Sequence, residues 1–347
     1  MGTQRAELAT VQALRAIAAF LVVAFHAVDS WGHHVLGRPG DQIWPNGATG
    51  VDIFFVISGL AMVISADRLA GKPAGWRIFV RHRIIRIVPL YWIMTTVKVV
   101  AVLVLPTLVM RTRLDVPYVA GSYFFLPVRD SVGHLMPVLP VGWTLTYEML
   151  FYMLVALAIA LRVQVLAVAG PALGAFVLMP IVGGSEGFAN TIAAEFVFGI
   201  LIGVSIKRGI RMPFPVAASA LGVGFAIILT GPVVTGTLRP VTWGLPAACI
   251  VAGAVMLEER LSALIPRRLL DAGNASYSIC LMHPFVIPMI YIIVSRTVPG
   301  ALWLPGIIAL SLVASAAVGR LGFVWVERPL LSWLRQSSAA PTVAIAR

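Results

Sequence analysis

Apolar runs of about 18 or more residues recur along this chain, and each is long enough to cross a bilayer as a helix. Of the 347 residues, 59% are hydrophobic and only 12% are charged, with a mean hydropathy of +0.94. A soluble domain carries roughly 25% charged residues. The expected fold is therefore all-α, a polytopic membrane helix bundle. The first run is too long and too charged for a cleaved signal peptide, and Arg5 alone makes a weak leading basic region. It is read as the first transmembrane helix.

Ten spans are expected, near residues 9–29, 50–67, 84–106, 143–161, 164–182, 188–206, 214–231, 240–257, 276–295 and 303–326. Short polar or Pro/Gly-bearing connections separate most of them. The longest non-spanning piece, about 107–142, is too short for a soluble domain but could form a re-entrant or interfacial flap. Residues 1–335 thus form one transmembrane domain, followed by a tail over 336–347 rich in Ala and Ser. With the N-terminus in the cytoplasm, 17 Lys and Arg residues fall on inner segments, from Arg5 through the stretch Arg68 to Arg86 and on to Arg347. Six fall outside: Arg38, Arg111, Arg113, Arg129, Arg239 and Arg296. The bias predicts both termini inside, in an inner (plasma) membrane protein.

The net charge of +12 follows from those basic loops facing anionic lipid, so the bilayer is an expected partner and nucleic acid is not. Cys249 and Cys280 sit in apolar runs, and no metal-ligand spacing is present. G-x-S-x-G, phosphate-loop, H-E-x-x-H and dinucleotide motifs are all missing.

An ionisable group inside a span is costly and by default marks function. The first span reads Q-A-L-R-A-I-A-A-F-L-V-V-A-F-H over residues 12–26. Arg15 and His26 are eleven positions apart, about 16 Å along one helix face. Asp52, in G-V-D-I-F-F-V-I-S-G, is expected at the depth of His26. It is either a first-turn acid favoured by the helix dipole or the carboxylate that orients the histidine ring. Arg83 and Arg86 are three residues apart in R-H-R-I-I-R, so they share a face. They are either snorkelling lipid contacts or planar forks for phosphate on the cytoplasmic side. Glu148 falls in the outer half of its span among Trp143, Tyr147, Phe151 and Tyr152. Those rings are either a membrane belt or, with the acid, a sugar-binding wall. Glu195 and His283 are further polar residues within spans, each needing a partner in the bundle. Arg320 and Glu327 are expected to share a helix face, with Glu327-Arg328-Pro329 ending that helix.

At these residues the chain resembles the acyltransferase 3 family of integral membrane proteins, and within it looks like the exopolysaccharide O-acetyltransferase branch. The resemblance runs from Leu8 to about Trp333. It takes in R-x10-H, V-D-I-F-F-V-I-S-G, R-x-x-R with I-V-P-L-Y, W-T-L-T-Y-E-M-L-F-Y, E-F-V-F-G-I-L-I-G, S-Y-S-I-C-L-M-H-P and V-E-R-P. It implies a ten-helix enzyme that moves an acyl group, usually acetyl, from cytoplasmic acyl-CoA to a carbohydrate hydroxyl across the membrane. By similarity His26 is the catalytic histidine, and Arg15, Arg83 and Arg86 serve the acyl-CoA (acetyl-CoA) donor; no metal is implied. Asp52 or Glu148 would orient His26 or hold the carbohydrate or lipid-linked glycan acceptor. His26 would act as a general base or accept the acyl group itself. An extra helix and an esterase-like domain found in some members are not expected here. The alternative is a transporter or flippase of a lipid-linked glycan, against which no matched pair of Gly/Pro-broken helices is seen.

Overall fold

The computed structural model describes residues 8–38, 43–104, 114–183, 187–232, 236–297 and 303–336. Arg5, Arg111, Arg113, Arg347, the first part of the flap and the tail after Gln336 lie outside the described residues. The helices, in order, are α1 (Ala9–Trp31), α2 (Gly50–Leu69), α3 (Gly75–Val104), α4 (Val116–Tyr123), α5 (Trp143–Leu161), α6 (Val165–Gly183), α7 (Ala194–Lys207), α8 (Phe214–Thr230), α9 (Leu245–Met256), α10 (Glu258–Leu261), α11 (Arg267–Asn274), α12 (Ser276–Thr297), α13 (Leu304–Gly322) and α14 (Arg328–Gln336). No strand occurs among the described residues.

Each of the ten expected segments is largely helical, and eight of them are long and apolar enough to cross a membrane. The other two are shorter: α7 has 14 residues and α8 has 17. Two boundaries also move. The third helix starts at Gly75 rather than near 84, so the basic stretch Arg77 to Arg86 is its first third and not a connection. At the other end the chain does not stop being helical at Glu327. A π-helical turn, Phe323–Glu327, joins α13 directly to α14.

The first helix has no N-cap side chain of its own. Glu258, at the start of α10, fills that role from 249 residues away, accepting from the Ala9 and Thr10 amides at 2.8 and 3.0 Å and from the Thr10 hydroxyl. A carboxylate there pairs with the positive end of the helix dipole and satisfies amides that no turn can reach.

Helix α2 is the hub. Gly50, Ile53, Ile57 and Leu60 lie toward α1, where Gly50 meets the Ala18 carbonyl and the isoleucines pack with Leu14 and Ala18. Asp52, Phe55, Gly59 and Val63 lie toward α7. These are two stripes of one helix at i, i+3, i+4 and i+7 spacing. The second stripe touches backbone to backbone: a Cβ on Gly199 of α7 would stand 2.1 Å from the Val56 carbonyl oxygen. Within lipid, small residues that admit such approach are a main source of helix association. The described part of the flap is tied to α3. Tyr91 and Trp92 of α3 donate to the Ser122 and Tyr123 carbonyls of α4 at 3.0 and 2.9 Å, and Ser122 accepts from the Val138 amide at 2.9 Å.

Gly199→Ala forces α2 and α7 apart. The expected loss is about 1–3 kcal/mol, the range for overpacking a tight contact, read as a lower unfolding temperature of the purified protein in detergent. An unchanged unfolding temperature contradicts the contact.

Candidate active site

The site is built where α1, α3, α5, α12 and the π turn meet. On α3, the Arg83 Nη2 donates to Ser65 Oγ of α2 at 2.8 Å. Its guanidinium lies over the rings of Phe79 and Tyr152, 5.4 and 5.6 Å from their centroids. Tyr152 in turn donates to Glu148 Oε2 at 2.7 Å, and both Glu148 and Arg86 are within electrostatic reach of Arg83. Glu327, buried at the end of the π turn, accepts from the Ser278 hydroxyl of α12. Arg86 and Arg15 are both within its electrostatic reach. Tyr277 lies within electrostatic reach of both acids, its hydroxyl donating to the Ile87 carbonyl at 2.7 Å. The three arginines singled out in the sequence therefore gather around two carboxylates in one polar seam.

Antiparallel packing explains the depth of that seam. Gly75 of α3 faces Ile159 near the end of α5, while Gly142, just before α5, faces Tyr91. Arg83 and Arg86 lie between those ends, level with Glu148 and Tyr152, inside the bundle rather than at its rim. The aromatic wall divides. Tyr147 and Phe151 lie on the stripe that packs on Phe55, Phe196 and Phe188, and Trp143 also meets Phe55. Glu148 and Tyr152 are on the other stripe, toward Arg83. Glu148 is thus a partner of the arginine cluster and is not paired with His26.

Asp52 also fails to reach His26, because it sits on the stripe of α2 that faces α7. Fully buried, it accepts from Arg239 Nε at 3.0 Å and from Arg239 Nη2 at 2.9 Å. The guanidinium rests 4.8 Å from the ring centroid of Trp243, in the π-helical turn Pro240–Gly244. Glu195, in the first turn of α7, is completely buried beside this pair, and neither of its carboxyl oxygens has a partner. Arg239, counted from sequence as an outer-loop charge, is the cation that pairs with Asp52, with Glu195 buried within its electrostatic reach.

What His26 does meet is a second histidine. The rings of His26 and His283 have centroids 5.0 Å apart at an interplanar angle of 31°. Asp29, three residues further along the same helix face, is the acid within electrostatic reach. Among the described residues no hydrogen bond or ion pair joins His26 to Asp52 or Glu148. Arg320 does not meet Glu327 either. It pairs with Asp271 of α11 at 3.2 Å, because the wider π turn rotates Glu327 away from the face of Arg320 and into the bundle.

The acyltransferase 3 family model, described as an acyltransferase domain, matches residues 8–320. The chain belongs to this family. It is 34% identical over 328 residues to the exopolysaccharide production protein ExoZ of Rhizobium meliloti (strain 1021), covering 88% of this chain and 94% of that protein. No solved structure matches. As an acyltransferase 3 protein the chain is a membrane acyltransferase, and the match takes in α1, the arginines of α3, Glu148 and His283, and stops just before the π turn of Glu327.

Sequence reasoning missed Asp29, the meeting of His283 with His26 and the partnership of Arg239. Two of the three had a legible signal: Asp29 is three residues from His26, and two acids expected within spans demand a buried cation. Arg239→Leu leaves Asp52 buried without its partner and should cost about 3–5 kcal/mol, whereas replacing both Asp52 and Arg239 by Leu should recover much of that loss. Thermal unfolding of the parent and both variants checks this; an Arg239→Leu protein as stable as the parent contradicts it.

Proposed function

We propose that this protein is an O-acyltransferase of the inner (plasma) membrane that moves an acetyl group from cytoplasmic acetyl-CoA to a hydroxyl of an exported or cell-surface carbohydrate. The observation that carries the reading is the seam itself: Arg15, Arg83 and Arg86 converge from two helices, and α1 runs from Arg15 to His26. Planar guanidinium groups suit a donor rich in phosphate. The name of the R. meliloti relative supports an exopolysaccharide as the acceptor. The excess of basic residues on one set of connections supports ten crossings with both termini in the cytoplasm. In that orientation Arg15 is nearer the cytoplasm and His26 nearer the far side.

In this mechanism His26 is the general base. Its ring takes the proton of the acceptor hydroxyl while that oxygen attacks the thioester carbonyl. The C–S bond breaks, a C–O bond forms, and the proton passes to the departing thiolate to give the CoA thiol.

Two variants test the assignment. His26→Ala abolishes transfer of label from radiolabelled acetyl-CoA to glycan while leaving acetyl-CoA affinity intact; full activity in that variant overturns the role. Arg83→Ala weakens acetyl-CoA binding on the order of tenfold, the loss of one charge-assisted contact of about 1.5 kcal/mol. Unchanged affinity, measured by equilibrium binding, removes Arg83 from the donor site.

A further inference from the structure

We infer that His283 is a positioning residue for His26: an imidazole held in one tautomer, whose bare nitrogen accepts the N–H of His26 and leaves the other His26 nitrogen free for the reaction. The inference rests on His26 being the reactive base.

The sequence His283-Pro284 sets the tautomer. Proline has no N–H, so the carbonyl four residues before it receives no helical hydrogen bond. That carbonyl belongs to Cys280. His283 Nδ1 lies 3.2 Å from the neighbouring Ile279 carbonyl oxygen, with the Cys280 carbonyl also in reach. A carbonyl can only accept, so the proton is on Nδ1 and Nε2 carries the lone pair. His283 is 1% exposed, and Nε2 is buried with no partner. A buried, unpaired acceptor costs about 1–3 kcal/mol, and native proteins rarely keep one without a use.

Its neighbours narrow the use. The hydroxyl of Tyr291, one helical face further along α12, is committed to the Ala27 carbonyl at 3.1 Å. Ser311 and Ser315 of α13 are buried, and their hydroxyls have no hydrogen-bond partner. His26 is the group in ring contact with His283, their centroids 5.0 Å apart. Two imidazoles joined by one N–H···N bond of about 2.9 Å have centres roughly 5 Å apart.

The consequence is chemical. A base whose second nitrogen is fixed by an acceptor presents its lone pair in one direction, the logic of a nucleophile–base–orienter chain. Here the third member is a neutral ring in place of a carboxylate. Atoms balance as in the proposed reaction, since His283 gives up and gains no proton over the cycle.

The experiment uses the full chain in membrane vesicles from a strain lacking the chromosomal copy, which supply the native acceptor, with radiolabelled acetyl-CoA as donor. Two substitutions separate the nitrogens. H283Q keeps an acceptor near the Nε2 position and loses the Nδ1 contact; H283N keeps a donor near Nδ1 and loses the acceptor. The expected result is that H283N lowers kcat roughly tenfold to a hundredfold, part of what a positioned proton acceptor contributes, with KM for acetyl-CoA unchanged, while H283Q retains most of the parent kcat. The reverse order, or equal loss in kcat and KM for both, overturns the inference and leaves His283 a packing residue. H26A run in parallel separates the two claims. If H26A is active, the reading of His26 fails; if H26A is dead and H283N is fully active, only the role of His283 fails.

Discussion

A charge inside a helical bundle in lipid has no water to turn to, so it must find its partner on another helix. That requirement organises this protein. Glu258 caps α1 from 249 residues away, Arg239 forks onto Asp52 with Glu195 buried beside the pair, and Arg15, Arg83 and Arg86 lie within electrostatic reach of Glu148 or Glu327. Each pairing ties together segments that apolar packing alone would leave free to slide, because lipid tails are as apolar as leucine. The glycine contact between α2 and α7 supplies the close approach, and the buried charges fix which faces meet.

Irregular turns do the aiming. The π turn Phe323–Glu327 sends Glu327 inward, although a regular helix would have kept it on the face of Arg320. The π turn Pro240–Gly244 follows Arg239 and sets Trp243 against its guanidinium. Pro284 opens a carbonyl beside the His283 ring. In each case a local departure from α geometry places a polar group that the ideal spacing would misplace.

Those departures also explain what the sequence made legible. Apolar run length placed every long helix, and the R-x10-H and R-x-x-R spacings singled out four candidate residues, each pair within one regular helix. Of the roles open to Asp52 and Glu148, the pairing with His26 is the one the structure does not show. Depth can be counted along a sequence, whereas the face a residue presents depends on which helix packs there. Asp52 has α7 beside it, and Glu148 has α3. The meeting of His26 with His283 joins residues 257 positions apart, and no periodicity within either helix encodes it.

The central claim is that the arginine seam and the histidine pair form one path for an acyl group across the membrane. Sealed proteoliposomes carrying the purified protein test it most directly, with radiolabelled acetyl-CoA added only outside and acceptor glycan enclosed only inside. The account predicts label on the enclosed glycan, with CoA thiol appearing outside. Label that stays on acetyl-CoA, or that reaches glycan only when both substrates are on the same side, contradicts it.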